Sequence, residues 1–164
     1  MAEMRGLKEL LENLKALDRN INTEARIAAA AGATIVKREA VSIARVQGLV
    51  DTGALVKNIA IKRERGTPKN IHEYHIGVRH GASAKAAQRI AVRNRDGKIK
   101  FQWTNNPFYW WFWEFGHYNG FLKRHVAARP FIRPAMEAKQ GEVMGAIKFR
   151  LAARLDKFTR KAIS

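Results

Sequence analysis

The segment Phe108–Gly116, FYWWFWEFG, restricts the fold of this chain more than any other. Seven of its first eight residues are aromatic, and the exception is Glu114. As a strand the segment would carry rings on both faces, and as a helix it would carry rings all round. Burying one large side chain stabilises a protein by roughly 1.5–3 kcal/mol, and exposed rings promote aggregation. We therefore expect a cover, supplied either by a helix of this chain or by another subunit.

Helical patterns lie on both sides of a region that alternates as strands do. Residues 6–18 have leucines at helical spacing, and the alanine-rich residues 23–46 favour a second helix. Asn20 or Asn22 is the expected cap between the two. At the other end, residues 133–161 predict a long closing helix with Pro134 in its first turn, where a missing N–H costs nothing.

Two strands and a hairpin are predicted between these helical regions. Residues 58–64 and 73–79 alternate as strands, and residues 90–103 form two alternating runs around Asp96-Gly97. Asp-Gly supplies the positive φ angles of a tight hairpin turn. Residues 116–130 are predicted to be a loop. Helices, then strands, then a helix indicate an α+β fold with a small twisted antiparallel sheet.

Length and turn chemistry suggest one domain. With 164 residues the chain is long enough to bury its own core, so we predict a single domain over residues 1–164. Its helical region spans residues 1–47, its sheet region 48–132 and its C-terminal helix 133–161. Thr52 and Gly53 are expected to shape the turn between the first two regions.

The charge of the chain predicts an anionic neighbour. Lys and Arg number 31 against 14 Asp and Glu, a formal net charge of +17, of which residues 1–50 carry only +2. The neighbour could be nucleic acid, an acidic protein or a membrane face. No run of 18 apolar residues predicts a bilayer span. The N-terminal residues are partly acidic and helical in pattern, unlike a signal peptide, so we expect a soluble protein that is assembled in the cytoplasm and not secreted by the usual route.

Catalytic and metal-binding patterns were sought, and none is well supported. His72 and His75 would lie on opposite faces of a strand, so they are not expected to bind a metal ion together. Glu114 and His117 have no second carboxylate near them in sequence. Glu114 is instead expected to pair with an arginine or to cap the turn at Gly116. We predict no enzyme activity, no metal and no cofactor.

The hairpin around Asp96 has the composition of a nucleic-acid contact. Its cations alternate with rings that could stack on bases. The candidate contacts are Arg93, Arg95, Lys98 and Lys100. A free-standing basic nucleic-acid-binding module is therefore one hypothesis, and an exposed hairpin with one polar face is the simpler interpretation.

Four motifs follow one another along the chain: DTGALVKNI, EYHIGV, WEFGHYNG and AARPFIRPAM. Together they resemble the tail-component or neck-protein family of lambdoid long-tailed phages, whose members complete or connect the tail at the head–tail junction. The residues that match are Thr52, Gly53 and Leu55 in the first motif, Glu114, Phe115 and Gly116 in the third, and Ala128, Arg129, Pro130, Phe131, Arg133 and Pro134 in the fourth.

This resemblance implies a structural virion protein with a fold similar to that of tail-terminator proteins. Such proteins work as six-fold homo-oligomeric rings, in which each subunit presents one patch to a different patch of the next. The implied partners are tail-terminator, tail-tube or head-connector proteins. Genomic DNA in the lumen is a further candidate partner, and the basic surface could face either this DNA or acidic proteins.

The aromatic segment and the Arg-Pro-Phe corner are the candidate contacts between subunits, because Trp and Arg anchor interfaces. Pro130 keeps the residues before it extended, and Gly116 ends the aromatic segment. The predicted contact residues are Trp110, Trp111, Trp113, Phe115, Arg129, Phe131 and Arg133.

Overall fold

The computed structural model describes residues 3–49, 53–68 and 70–163. Its elements confirm the α+β class: a long N-terminal helix, short paired strands and a long C-terminal helix. A 3-10 turn at Gly81–Ser83 joins the second and third strands. The elements are, in chain order, α1 (Glu3–Val46), α2 (Ala54–Asn58), β1 (Ile59–Arg63), β2 (Tyr74–Val78), β3 (Arg89–Arg93), β4 (Ile99–Trp103), α3 (Trp110–Phe115), β5 (His117–Asn119), β6 (Arg124–Val126) and α4 (Ile132–Ile163).

The N-terminal region is one helix of 44 residues, so the predicted break at Asn20 or Asn22 was wrong. Asn22 does not cap, because its side-chain Oδ1 lies 2.6 Å from the Nε2 atom of His72. Thr23 donates from Oγ1 to the carbonyl of Arg19 at 2.9 Å, which bonds it back to the preceding turn. With no cap formed, the alanine-rich sequence continues the helix.

The strands form three two-stranded sheets in the described residues, and not the single sheet that was predicted. The hairpin β3–β4 is antiparallel, pairs Arg89 with Trp103, and turns through Gly97 at φ 74°. The hairpin β5–β6 replaces the loop predicted for residues 116–130. Its turn is closed by Asn119, whose Oδ1 accepts from the N–H groups of Phe121 and Leu122 at 3.0 Å each.

Contacts divide the chain into two compact units. The first comprises residues 1–34, 63–75 and 140–164, and the second comprises residues 35–62 and 76–139. Within the first unit, α1 and α4 approach closely at Gly32, where an added Cβ would lie 2.8 Å from Cγ1 of Val143. That all 164 residues form a single domain stays a prediction.

Among the residues whose burial is described, most of the buried apolar side chains lie in the second unit. Its fully buried side chains include Leu55 and Ile59, together with Phe131. The side-chain amide of Asn58 is buried among them, and both of its polar atoms form hydrogen bonds. Its Nδ2 donates to the carbonyl of Ala54 at 2.8 Å, and its Oδ1 accepts from the N–H of Lys85 at 2.6 Å. Since an unpaired buried amide is costly, these bonds fix how α2 meets the chain beyond β2.

Gly53 lies at the start of α2 with φ 72°, and the N–H of Lys57 donates to its carbonyl at 3.1 Å. A left-handed φ suits glycine, which has no Cβ to clash. Thr52, the other residue predicted for this turn, lies outside the described residues.

Substituting Gly32 with alanine tests the close approach of α1 and α4. Alanine favours helix by about 1 kcal/mol over glycine, but forcing a methyl group into a packed contact typically costs about 1–3 kcal/mol. We expect Gly32→Ala to lower the free energy of unfolding, as measured in urea. Gly145→Ala is the matched control in α4, where nothing lies within 4 Å of the added Cβ. The control should raise stability by about 0.5–1 kcal/mol, and a Gly32→Ala protein stabilised as much would contradict the contact.

Candidate functional site

The aromatic segment folds as the short helix α3, one of the two conformations considered for it. The N–H of Trp110 donates to the carbonyl of Pro107 at 3.1 Å, which starts the turn. The helix ends at Gly116, whose φ of 72° and ψ of 171° are accessible mainly to glycine. Trp111 and Phe115 are four residues apart on one face, with ring centroids 4.2 Å apart.

Glu114 is the one residue of α3 that is buried, with 5% of its surface exposed. Its Oε2 accepts from the N–H groups of Phe131 at 2.9 Å and Ile132 at 3.1 Å, and its Oε1 accepts from that of Arg133 at 3.1 Å. The first N–H groups of a helix have no partner within it, and a carboxylate there also offsets the helix dipole. Glu114 therefore caps α4 and does not make either of the contacts predicted for it.

A second set of contacts fixes the corner between β6 and α4. The N–H of Arg129 donates to the carbonyl of Trp113 at 2.7 Å. The guanidinium of Arg129 lies 5.8 Å from the Trp113 ring, and that of Arg133 lies 5.9 Å from the Phe115 ring. A Cβ on Gly116 would meet the carbonyl oxygen of Val126 at 2.9 Å, so only glycine allows this approach.

The rings of α3 are divided between the interior and the surface. Trp111 is 54% exposed and Phe115 is 48% exposed, while Trp110 and Trp113 are half-buried. We call Trp111 and Phe115 the α3 ring pair. Phe131, predicted as a surface anchor, has no exposed surface and belongs to the core of the second unit, because the Glu114 cap holds its backbone there.

The other predicted turn residues lie around the same corner. Pro130 accepts at its carbonyl from Nε2 of Gln47 at 3.0 Å, which ties the corner to the end of α1. Pro134 lies in the first turn of α4, where its missing N–H leaves no hydrogen bond unmade.

The β3–β4 hairpin carries a second exposed apolar surface, which sequence analysis missed. Ile99, Phe101 and Trp103 alternate along β4 and so share one face of the hairpin. They are 62%, 60% and 39% exposed, and the guanidinium of Arg89 lies 4.3 Å from the Phe101 ring. We call these three residues the hairpin face. The alternation was visible in the sequence but was interpreted as a nucleic-acid contact.

The four cations proposed to contact nucleic acid do not share one surface of this hairpin. Arg93 pairs with Ile99 and lies on the hairpin face, whereas Lys100 pairs with Val92 and points to the opposite side. Arg95 and Lys98 lie at the turn, where the N–H of Asn94 donates to the carbonyl of Lys98 at 2.9 Å.

Within the residues that the structure describes, no group of His, Cys, Asp and Glu could hold a metal ion. His75 contacts Glu64, with Nε2 and Oε2 3.5 Å apart on the surface. No helix in the same part of the chain is both long and apolar enough to cross a bilayer.

Replacing Glu114 tests the cap on α4. Glu114→Gln keeps the size of the side chain but removes its charge and replaces one of its two acceptor oxygens with an amide NH2 group. Three N–H groups are then left with one acceptor oxygen. We expect the free energy of unfolding to fall by about 1–3 kcal/mol, measured by urea denaturation with an unchanged m value. The matched control is Glu137→Gln on the exposed side of α4, which should change stability by less than about 0.5 kcal/mol. Equal effects of the two substitutions would rule out the cap.

The geometry defines a class of protein: one that holds aromatic rings rigidly at its surface, where a partner can cover them. A comparison with protein families then identifies the family. The chain belongs to the HK97-gp10-like family, whose model, described as "Bacteriophage HK97-gp10, putative tail-component", matches residues 8–116. The resemblance noted in the sequence is thereby confirmed, and the family is one of structural phage tail components. No curated protein and no solved structure matches the chain.

The family match extends from α1 through the whole of α3 and ends at Gly116. It therefore includes Glu114 but not the three N–H groups that Glu114 binds. A tail component is part of the virion, so the chain is a virion protein.

Proposed function

We propose that this protein is a non-enzymatic subunit of a homo-oligomeric ring at the phage head–tail junction, where it completes the tail or connects it to the head. Family membership supports a structural role in the tail. The observation that carries the finer proposal is the α3 ring pair, which is about half exposed in a single chain although its backbone is fixed at both ends of α3.

The energetics favour a protein partner for these rings. Fully burying a side chain of this size contributes roughly 1.5–3 kcal/mol, so covering the exposed half of two rings contributes on the order of 2 kcal/mol per contact. A rigid anchor loses little conformational entropy on binding, which makes such rings effective at interfaces. Arg129 and Arg133 lie over α3 rings and can pair with carboxylates of the partner.

A closed ring needs two different patches on each subunit. The second unit of this chain offers both: the α3 ring pair and the hairpin face, separated in sequence and exposed. Contact between the α3 ring pair of one copy and the hairpin face of the next would cover both. The hairpin also has free strand edges among the described residues, which can pair with a neighbour.

The neighbours along the tail axis are, in this proposal, tail-terminator, tail-tube or head-connector proteins. The net charge of +17 fits docking on acidic surfaces, and equally the passage of DNA through a lumen. Sixfold symmetry is the expected stoichiometry.

Removing the α3 ring pair should prevent assembly of the homo-oligomer. We expect the double variant Trp111→Ser/Phe115→Ser to sediment as a smaller species than the unchanged protein and to show no rings in negatively stained images. A phage carrying it should accumulate heads and tails that do not join. Circular dichroism should show an unchanged helix content, because the altered side chains lie half outside the fold.

The matched control is Phe149→Ser, which removes an aromatic side chain that is 76% exposed on α4. This control variant should sediment as the unchanged protein does and should still assemble into the homo-oligomer. If the α3 double variant assembled as the unchanged protein does, the α3 ring pair would not be the contact between copies.

A further inference from the structure

An arginine-rich cleft lies in the first unit, far in sequence from the aromatic segment. Its cavity has a volume of about 560 Å³. Its described lining contains four arginines and no acidic residue, although residues 1–50 carry a net charge of only +2. The lining consists of Arg19, Asn22, Thr23, Arg26, Arg63, Arg65, Thr67, Pro68 and His72.

One wall of the cleft is a face of α1. Arg19, Asn22, Thr23 and Arg26 are spaced by three, four and seven residues, which places them on the same side of a helix. At 1.5 Å per residue, Arg19 and Arg26 are about 10 Å apart along the axis.

The other wall is the segment between β1 and β2, and hydrogen bonds hold it in place. The N–H of Glu64 donates to the carbonyl of Glu73 at 3.0 Å, and Oγ1 of Thr67 donates to the carbonyl of Ile71 at 3.0 Å. Tyr74 fastens this wall to α1, since its hydroxyl donates to the carbonyl of Arg26 at 3.2 Å. The cleft is therefore built by contacts on both sides.

The arginines of the cleft have no neutralising carboxylate among the residues that the structure describes. None of the four makes an ion pair with another described residue. The nearby carboxylates are engaged elsewhere: Glu24 with Arg154 at 3.3 Å, and Glu64 with His75 at 3.5 Å. Four like charges facing one cavity repel one another, and an anion in the cavity would relieve that repulsion.

His72 leaves a further polar atom on this wall without a protein partner. Its Nε2 lies 2.9 Å from the carbonyl oxygen of Asn22 and 2.6 Å from its Oδ1, so Nε2 carries the hydrogen. Its Nδ1 is buried and has no hydrogen-bond partner among the described residues. Buried polar atoms normally have a partner, and a water in the cleft can donate to this nitrogen.

We propose that this cleft binds the phosphodiester backbone of nucleic acid. Guanidinium groups bind phosphate through two parallel hydrogen bonds. The spacing of about 10 Å between Arg19 and Arg26 spans about three phosphates of one DNA strand, at about 3.4 Å per phosphate along the axis. The described lining residues include no Phe, Tyr or Trp on which bases could stack, so binding here is independent of sequence.

This assignment goes beyond the proposed function and does not depend on ring formation. It also differs from the sequence-based hypothesis, which assigned nucleic-acid contact to the β3–β4 hairpin. An acidic peptide is the competing ligand. Phosphates are favoured because they repeat at a fixed spacing that matches arginines spread along two walls.

The test measures binding of a fluorescently labelled DNA duplex by anisotropy at several salt concentrations between about 50 and 200 mM. Two charge-removing variants are compared with the full-length protein: Arg19→Gln/Arg26→Gln on the helix wall and Arg63→Gln/Arg65→Gln on the other. Each should weaken binding by about tenfold and reduce the slope of log K against log salt by about 2, because two phosphate contacts are lost. All four side chains are exposed, so both variants should fold, as circular dichroism will show.

The matched control is Arg95→Gln/Lys98→Gln at the turn of the hairpin, which removes the same charge outside the cleft and off the hairpin face. It should weaken binding no more than about twofold. A loss as large as that of the cleft variants would overturn the assignment, as would a protein that does not bind the duplex at all. Polyglutamate that displaces the duplex at equal charge concentration would assign the cleft to acidic peptides instead. The cleft variants leave Trp111 and Phe115 intact, so they should sediment as the unchanged protein does. Sedimentation therefore distinguishes a loss of DNA binding in the cleft from a failure of the proposed assembly between copies.

Discussion

The arrangement of the second unit depends on one buried carboxylate. Glu114 reaches from the middle of an aromatic helix to three consecutive N–H groups at the start of α4. Without it, those donors would be buried next to rings that offer no acceptor. The same bonds place Phe131 in the core and bring Arg133 over the Phe115 ring. Local chain direction, core packing and surface chemistry therefore follow from a single cap.

This cap also explains how the protein tolerates so many rings in one short segment. A helix of six residues has little intrinsic stability, and α3 is held by its end contacts, at Gly116 and through the carbonyl of Trp113. The rings do not have to be buried for the helix to form. Trp111 and Phe115 can remain half exposed, as residues that contact a partner must, while Glu114 secures the backbone beneath them.

The two kinds of exposed surface suit different partners. Apolar surface on α3 and on the β3–β4 hairpin is suited to other protein subunits, since covering it releases water without a charged counterpart. The cleft of the first unit is suited to an anion, since its arginines have no ion partner among the described residues. A protein of the phage tail that contacts both proteins and nucleic acid would use these surfaces separately, and each can be changed without altering the other.

Sequence by itself determined the features that arise from neighbouring residues. Alternation and Asp96-Gly97 predicted the β3–β4 hairpin, and residues 133–161 predicted α4 to within two residues at each end. The ordered motifs indicated the family. The predictions of the hairpin and of α4 succeed because strand period, helix period and turn chemistry act over a few residues.

Tertiary structure decided what depends on distant partners. The Glu114 cap joins residues 17 to 19 positions apart, and the contact of His72 with Asn22 joins residues 50 positions apart. The second of these engages Asn22, a residue expected as a cap, within a helix that runs on without a break. The cleft gathers arginines from α1 and from the mostly basic residues 62–65 at and after the end of β1, which lie about 40 positions apart in the chain. Such pairings are set by how the elements pack, because a side chain's hydrogen-bonding chemistry does not specify which distant group will satisfy it.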